Sequence, residues 1–199
     1  MARTLLLILL LISPALHAGD LELLVSQPSL DEILSALKRN RHPHFAVIDY
    51  GRPSTLPRFY LFDSRSHALL ASFRVAHGKG SDPDHDSIAD SFSNALGSRA
   101  TSLGLFRTAE VFDSDEPGHG RSMRLLGLSP SNSNAEERAI VIHANGYMED
   151  DFIRKHGIPG RSYGCMVLAS NDRDRVIEQL EGGALIFSID QRPQALTHR

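Results

Sequence analysis

Cys165 is the only cysteine among 199 residues. It closes the stretch Gly160-Arg161-Ser162-Tyr163-Gly164-Cys165, and His143 precedes it by 22 residues, at the end of the apolar run Ala139-Ile140-Val141-Ile142. A thiol attacks as its thiolate, and a nearby imidazole can take the proton. Gly164 allows the backbone to turn sharply beside the thiol and to approach a ligand without a Cβ in the way. On such a turn, the backbone N–H groups of Tyr163, Gly164 and Cys165 could face a developing oxyanion. The competing reading makes Cys165 a small buried hydrophobe and His143 a hydrogen-bonded core histidine.

These residues need a scaffold. The run ending in His143 is rich in β-branched residues and reads as a buried strand. Further strand-like runs cover 44–50, 58–63, 68–76, 103–111, 122–126 and 184–189, with turn clusters at Gly51-Arg52-Pro53-Ser54 and Asp63-Ser64-Arg65-Ser66. Ser29-Leu30-Asp31-Glu32 is a capping-box pattern. It predicts a helix over 30–39 with Ser29 as N-cap and Leu30, Ile33, Leu34 and Leu37 on one face. A short helix is expected over 149–156, and a last one capped by Asn171 or Asp172 and ending at Gly182-Gly183. Residues 78–97 are rich in Gly, Ser, Asp and Asn and read as a long functional or mobile loop. The expected fold is mainly β, a mixed sandwich or barrel-like core with a few peripheral helices.

Residues 1–18 have the layout of a secretory signal: a basic start, the apolar run 5–12, and small residues before a cut after Ala18. That run is too short to span a bilayer as a helix, which takes about 20 residues. About 180 residues remain, enough for one domain with a real core. The formal net charge of −3 becomes −4 without Arg3, which argues against a general nucleic-acid binder. A lone thiol in an exported chain is a liability unless it is buried or used.

The two motifs resemble those of the L,D-transpeptidase (YkuD-like) family of cell-wall enzymes. The match is with its divergent branch, the murein L,D-transpeptidase catalytic domains. Ile142-His143-Ala144-Asn145 and Ser162-Tyr163-Gly164-Cys165 carry the resemblance. So do the His143-to-Tyr147 spacing, Gly160-Arg161-Ser162, and upstream Asp49-Tyr50, Ala76-His77-Gly78, Ser91-Phe92-Ser93-Asn94, Ser102-Leu103-Gly104 and Arg124-Leu125-Leu126-Gly127-Leu128. Two departures stand against the better-known members. They carry a histidine where Tyr163 stands, and an arginine soon after the cysteine, where Met166-Val167-Leu168 follow here.

The resemblance implies an exported, periplasmic or envelope-located cysteine acyltransferase that acts on peptidoglycan stem peptides without a cofactor. Cys165 would attack at the L-centre of the diamino acid and expel D-alanine. His143 would be the base, with its other ring nitrogen on a backbone carbonyl, by position that of Ala144. Arg161, Tyr147, Ser162, Tyr163 and His77 are the candidate substrate-binding residues. If water resolves the acyl-enzyme, the same site is an L,D-carboxypeptidase. A non-catalytic wall-binding module is the second class. A metal-dependent peptidase using His77, His85 and His143 is the third, although their spacing with Asp82-Pro83-Asp84-His85-Asp86 fits no recognised ligand pattern, and no metal is expected. The domain organisation is then a signal peptide over 1–18, a helical extension packed on the domain over 19–43, the catalytic domain over 44–190 and a tail over 191–199. No membrane span remains after signal cleavage.

Overall fold

The computed structural model describes residues 19–27 and 29–192. The expected signal segment and residues 193–199 of the expected tail lie outside the described residues. Among the described residues, eight strands form one sheet: β1 (His44–Asp49), β2 (Phe59–Asp63), β3 (Leu69–Phe73), β4 (Gly104–Ser114), β5 (Gly120–Gly127), β6 (Val141–Ala144), β7 (Met166–Leu168) and β8 (Leu185–Ile189). Their order is β3-β2-β1-β8-β4-β5-β6-β7. β1 lies antiparallel to β2 and parallel to β8. Phe45 to Asp49 are all buried, so β1 shows an unbroken apolar run in place of polar alternation.

The chain after β3 brings the two ends of the sheet together. Ala76 N–H donates to Val167 O of β7 at 2.8 Å, Ser162 N–H to His77 O at 2.9 Å, and Lys79 N–H to Ser162 O at 2.8 Å. The edge of β7 is therefore paired, and the sheet wraps toward a barrel. Its inner face carries Ile48, Leu61, Phe106, Leu125, Ile142, Met166 and Leu168, covered by Val176, Ile177 and Leu180 of α4 (Ser170–Leu180). On the outer face, Leu21 of α1 (Asp20–Leu24) and Leu30 and Ile33 of α2 (Ser29–Leu37) pack on Phe45, Val47, Phe62 and Phe187. A further helix, α3 (Asp150–His156), lies in the β6-to-β7 crossover and ends at Gly157 in the left-handed region, φ 79°. Among the described residues, no helix is long and apolar enough to cross a membrane.

The fold is mainly β, as the residue pattern predicts, with local differences. Ser29 is the first residue of α2 and not its cap, and α2 stops at Leu37. α4 begins at Ser170, and neither Asn171 nor Asp172 caps it. The Glu149 carboxylate, brought from the β6-to-β7 crossover, accepts from Ser170 N and Oγ, both at 2.8 Å. β7 was not foreseen as a strand. Three residues are too few to show a period, and only their parallel pairing with β6 defines them. The 78–97 segment is irregular but does not lack buried anchors, because Ser81, Asp82 and Ala89 are fully buried. Two of those anchors, Ser81 and Asp82, are polar and are held by internal hydrogen bonds that hydrophobic patterning cannot reveal.

Candidate active site

β6 and β7 run parallel with Ile142 opposite Met166 and His143 opposite Val167. Side chains alternate along a strand. Ile142 and Met166 point into the core, so His143 and Val167 point out. Cys165, one residue before β7, packs with Val167, Ala76, Met148 and Tyr147 on that same outer side. The short parallel pair thus delivers the histidine and the thiol to one face. They share a cavity of about 350 Å3 with Lys79, His119, Asn145, Tyr147, Arg161, Ser162 and Tyr163.

The His143 Nδ1 atom lies 2.8 Å from Ala144 O. A carbonyl only accepts, so Nδ1 carries the proton and Nε2 keeps its lone pair. The ring is 4 % exposed and stacks on His119, with centroids 3.6 Å apart and planes at 30°. Burial lowers the His143 pKa from 6.5 to about 4. The Ala144 carbonyl opposes that shift, while His119 and Arg173 add to it. The imidazole is therefore neutral at physiological pH. His119 comes from the β4–β5 hairpin tip, between Gly118 and Gly120, which both have positive φ.

Ser162 fixes the turn before the thiol. Its Oγ donates to Cys165 O at 2.8 Å and accepts from Gly164 N at 3.0 Å. Gly164 has φ 118°, and a Cβ there would meet Ala100 O at 2.8 Å and an Arg138 guanidinium nitrogen at 2.9 Å. Glycine is needed on both counts. The expectation that the Gly164 amide faces an oxyanion is corrected here, since that N–H is engaged by Ser162. Gly164 shapes the turn.

Cys165 is half-buried. Its Sγ lies 3.6 Å from Ala139 O. Ala139 itself has φ 51°, unusual for a residue with a Cβ. Burial pushes the thiol pKa up, against the pull of the Val141 N–H and the Arg138 guanidinium. The resting arrangement is a neutral thiol turned to a carbonyl beside a neutral imidazole. The ion pair expected between Cys165 and His143 is not formed in it.

The other candidates separate. Tyr147 lines the cavity, and its ring lies so close to Gly160 that a Cβ there would meet ring carbons within 2.7 Å. Arg161 lines the cavity too, but its guanidinium donates to Asp82 O and stands 4.0 Å from the Asp82 carboxylate. Tyr163 is 61 % exposed, with Lys79 Nζ 4.6 Å and the Arg99 guanidinium 4.8 Å from its ring centroid. His77 does not reach the cavity. Its ring is 1 % exposed, with Nε2 2.8 Å from Asp82 Oδ2 and Nδ1 2.9 Å from an Arg58 nitrogen. It meets the site only through its carbonyl, which accepts from Ser162 N.

Two cavity residues went unnoticed in the sequence, Lys79 and His119, and Asn145 was quoted only as part of the motif around His143, without a role. Only His119 carries a local signal, a histidine between two glycines at a hairpin tip. The histidines of the metal hypothesis do not converge, because His85 Nε2 bonds Pro159 O while His77 and His143 lie in separate environments. Among the described residues, the one group with metal-ligand proximity is Asp82, Asp84 and Asp86. Asp82 there is already committed to His77 and to the Asp86 amide.

The family described as the L,D-transpeptidase catalytic domain matches residues 22–189. No curated protein matches the chain. Among solved structures, Bd1075 of Bdellovibrio bacteriovorus aligns with a TM-score of 0.48 at 13% identity, over 75% of this chain and 48% of that one. An L,D-transpeptidase from Xylanimonas cellulosilytica gives 0.45 at 12%, over 81% and 69%. An L,D-transpeptidase from Mycobacterium smegmatis gives 0.41 at 13%, over 73% and 58%. The chain thus spans about half the length of the Bdellovibrio protein.

Proposed function

The chain belongs to the L,D-transpeptidase catalytic domain family, and from that premise we propose an exported cysteine acyltransferase that acts on peptidoglycan stem peptides. The observation that carries this reading is the His143 Nδ1 contact with Ala144 O, which leaves Nε2 as a base in the cavity that Cys165 lines. In the first step the thiol swings from Ala139 O to His143 Nε2 and gives up its proton. Sulfur then bonds the carbonyl carbon at the L-centre of the diamino acid. The amides of Tyr163 and Cys165 are the candidate oxyanion donors. As the C–N bond breaks, the imidazolium protonates the departing D-alanine. Because burial depresses its pKa, that imidazolium is a strong acid, suited to an amine leaving group.

An amine then attacks the thioester and restores the thiol, forming a cross-link or an exchanged peptide. With water in its place the product is a tripeptide, the carboxypeptidase outcome. Lys79 and Arg161 give the cavity a positive lining although the chain carries a net charge of −3. This suits a substrate that bears several carboxylates. The apolar run within 1–18 supports export by a cleaved signal. The test is incubation with purified muropeptides and mass analysis. Loss of D-alanine mass with an acyl adduct on Cys165 supports the reading. An unchanged substrate pool, with no adduct, favours a wall-binding module.

A further inference from the structure

On the outer face of the sheet, the turn after α2 leaves a cavity of about 540 Å3 against β4 and β8. It shares no lining residue with the cavity of Cys165 and His143. Leu105, Leu128 and Leu185 give it apolar lining, and Arg39, Arg41 and Arg107 give it charge. Side chains alternate along β4. Phe106 belongs to the inner core and Leu105 to the outer cluster, so Arg107 faces out beside Leu105. Asp and Glu outnumber Lys and Arg in the chain by 24 to 21, yet among the described residues no carboxylate lines this cavity. Seven other described arginines pair with a carboxylate, Arg121 and Arg124 of the neighbouring β5 among them. Arg39, Arg41 and Arg107 make neither an ion pair nor a side-chain hydrogen bond among the described residues.

The segment that carries Arg39 and Arg41 is held in place. His42 Nδ1 accepts from His44 N at 3.1 Å, so Nε2 carries the proton and donates to Glu181 O at 3.0 Å. Asn40 Oδ1 accepts from His42 N at 3.2 Å, and its Nδ2 lies 3.4 Å from Ser64 Oγ. One turn is thereby tied both to the end of α4 and to the β2–β3 turn. The far wall is bare backbone. Gly182 and Gly183 have φ of 95° and 100°, with nothing within 4 Å of a Cβ position on either. Backbone held in advance lowers the ordering cost of binding, and the volume suits a small organic molecule.

Three guanidiniums that repel one another, with no counter-charge, call for an anion. A carboxylate offers two oxygens, while a phosphate offers three strong acceptors and more charge, so phosphate uses the set more fully. Leu128 is 42 % exposed, and an inorganic anion would leave it and the other leucines uncovered. We propose that this cavity is a second binding site, for an amphiphile with a phosphate head, its phosphate on Arg39, Arg41 and Arg107 and its apolar body on Leu105, Leu128 and Leu185. The same chemistry is presented by a phospholipid at a bilayer surface and by a free alkyl phosphate. The site does not depend on Cys165 or on the acyl transfer proposed for it.

Hexyl phosphate is the probe, with binding followed by ligand NMR on the whole chain. Arg107→Gln should weaken it about tenfold, the size of one lost charge-assisted bond, and Arg39→Gln with Arg41→Gln should weaken it further. Leu128→Ser should weaken hexyl phosphate but not inorganic phosphate. Hexanol, which lacks the anion, should ignore the arginine substitutions. Arg65→Gln is the control, because Arg65 is exposed without an ion pair on the β2–β3 turn, away from the cavity. It should change nothing. Co-sedimentation with vesicles of phosphatidylglycerol and phosphatidylcholine separates the two sources. Retention that Arg107→Gln abolishes makes the ligand a bilayer lipid, and hexyl phosphate binding without retention makes it a soluble phosphate. Failure of the wild type to bind hexyl phosphate overturns the proposal. So does an affinity that ignores Arg107→Gln and the double variant, or one that falls equally in Arg65→Gln and so reports net charge alone.

Discussion

Ser162 Oγ donates to Cys165 O at 2.8 Å, and the same oxygen accepts from Gly164 N at 3.0 Å. One hydroxyl therefore closes the turn that aims the thiol, and the Ser162 amide hangs the turn on His77 O. Ser162→Ala removes both side-chain bonds and leaves the Gly164 amide buried without a partner. The expected cost is about 1–3 kcal/mol of stability, with kcat falling more than KM rises. Denaturant titration and steady-state kinetics measure the two. A variant with full kcat would show that the turn holds without its serine.

The thiol itself should respond to pH as a buried one. Burial holds its pKa above the ordinary range, and Ala139 O, not the imidazole, is its neighbour. Iodoacetamide alkylation of Cys165 should therefore rise only on the alkaline side of an ordinary thiol. His143→Ala should move that curve little while lowering turnover by at least about a hundredfold, the lower end of the range for a lost general base. An acid-shifted curve that moves upward in His143→Ala would establish a resting ion pair.

Gly164→Ala combines two penalties, a left-handed backbone and a Cβ pressed on Ala100 O at 2.8 Å. The backbone carbonyl cannot rotate away as a side chain could. A loss of about 2–4 kcal/mol is expected from strain and overpacking together, read as a lower denaturant midpoint. Gly157→Ala is the control. It has positive φ of 79° but nothing within 4 Å of its Cβ position, so it should lose only the smaller backbone part. Equal losses at both sites would mean that the packing against Ala100 is soft.

Much of this is legible in the sequence. Cys165, His143 and Gly164 announced themselves by type and spacing, and the β1, β2 and β8 segments by apolar runs. The bond from His143 Nδ1 to Ala144 O joins neighbours and was expected from the resemblance, but the contacts that come from elsewhere in the chain, His119 stacked on His143 and Arg138 beside the thiol, were not, because they depend on registry between distant segments. Lys79 and Arg99 flank Tyr163 only because the chain after β3 closes against β7, which three residues define. His77 shows the opposite failure. It stands beside Gly78 in the motif, yet its ring turns inward to Arg58 and Asp82, a direction no spacing encodes.

That inward ring gives the last prediction. His77 is 1 % exposed, and its pKa is lowered from 6.5 to about 4, first by burial and then by the Arg58 guanidinium, against the pull of Asp82. Nδ1 faces an Arg58 donor at 2.9 Å and so accepts, which leaves Nε2–H to donate to Asp82 Oδ2. A proton on Nδ1 would abolish the Arg58 bond and set two cations against each other. The unfolded chain protonates this histidine near pH 6.5, while the folded one resists until about pH 4. Between those values the unfolded state binds more protons, so stability must rise with pH across the window. It is fully present above about 6.5 and lost as pH falls toward 4. The shift corresponds to roughly 3 kcal/mol, and His143, depressed to about 4 by its own burial, adds in the same direction. Urea titrations from pH 4 to 7 should show this slope. His77→Gln offers the same Nε2-side donor without a titrating ring, so its slope should be shallower by the His77 share. An unaltered slope in that variant would mean that His77 keeps its ordinary pKa and that the buried Arg58–His77–Asp82 array titrates as something else.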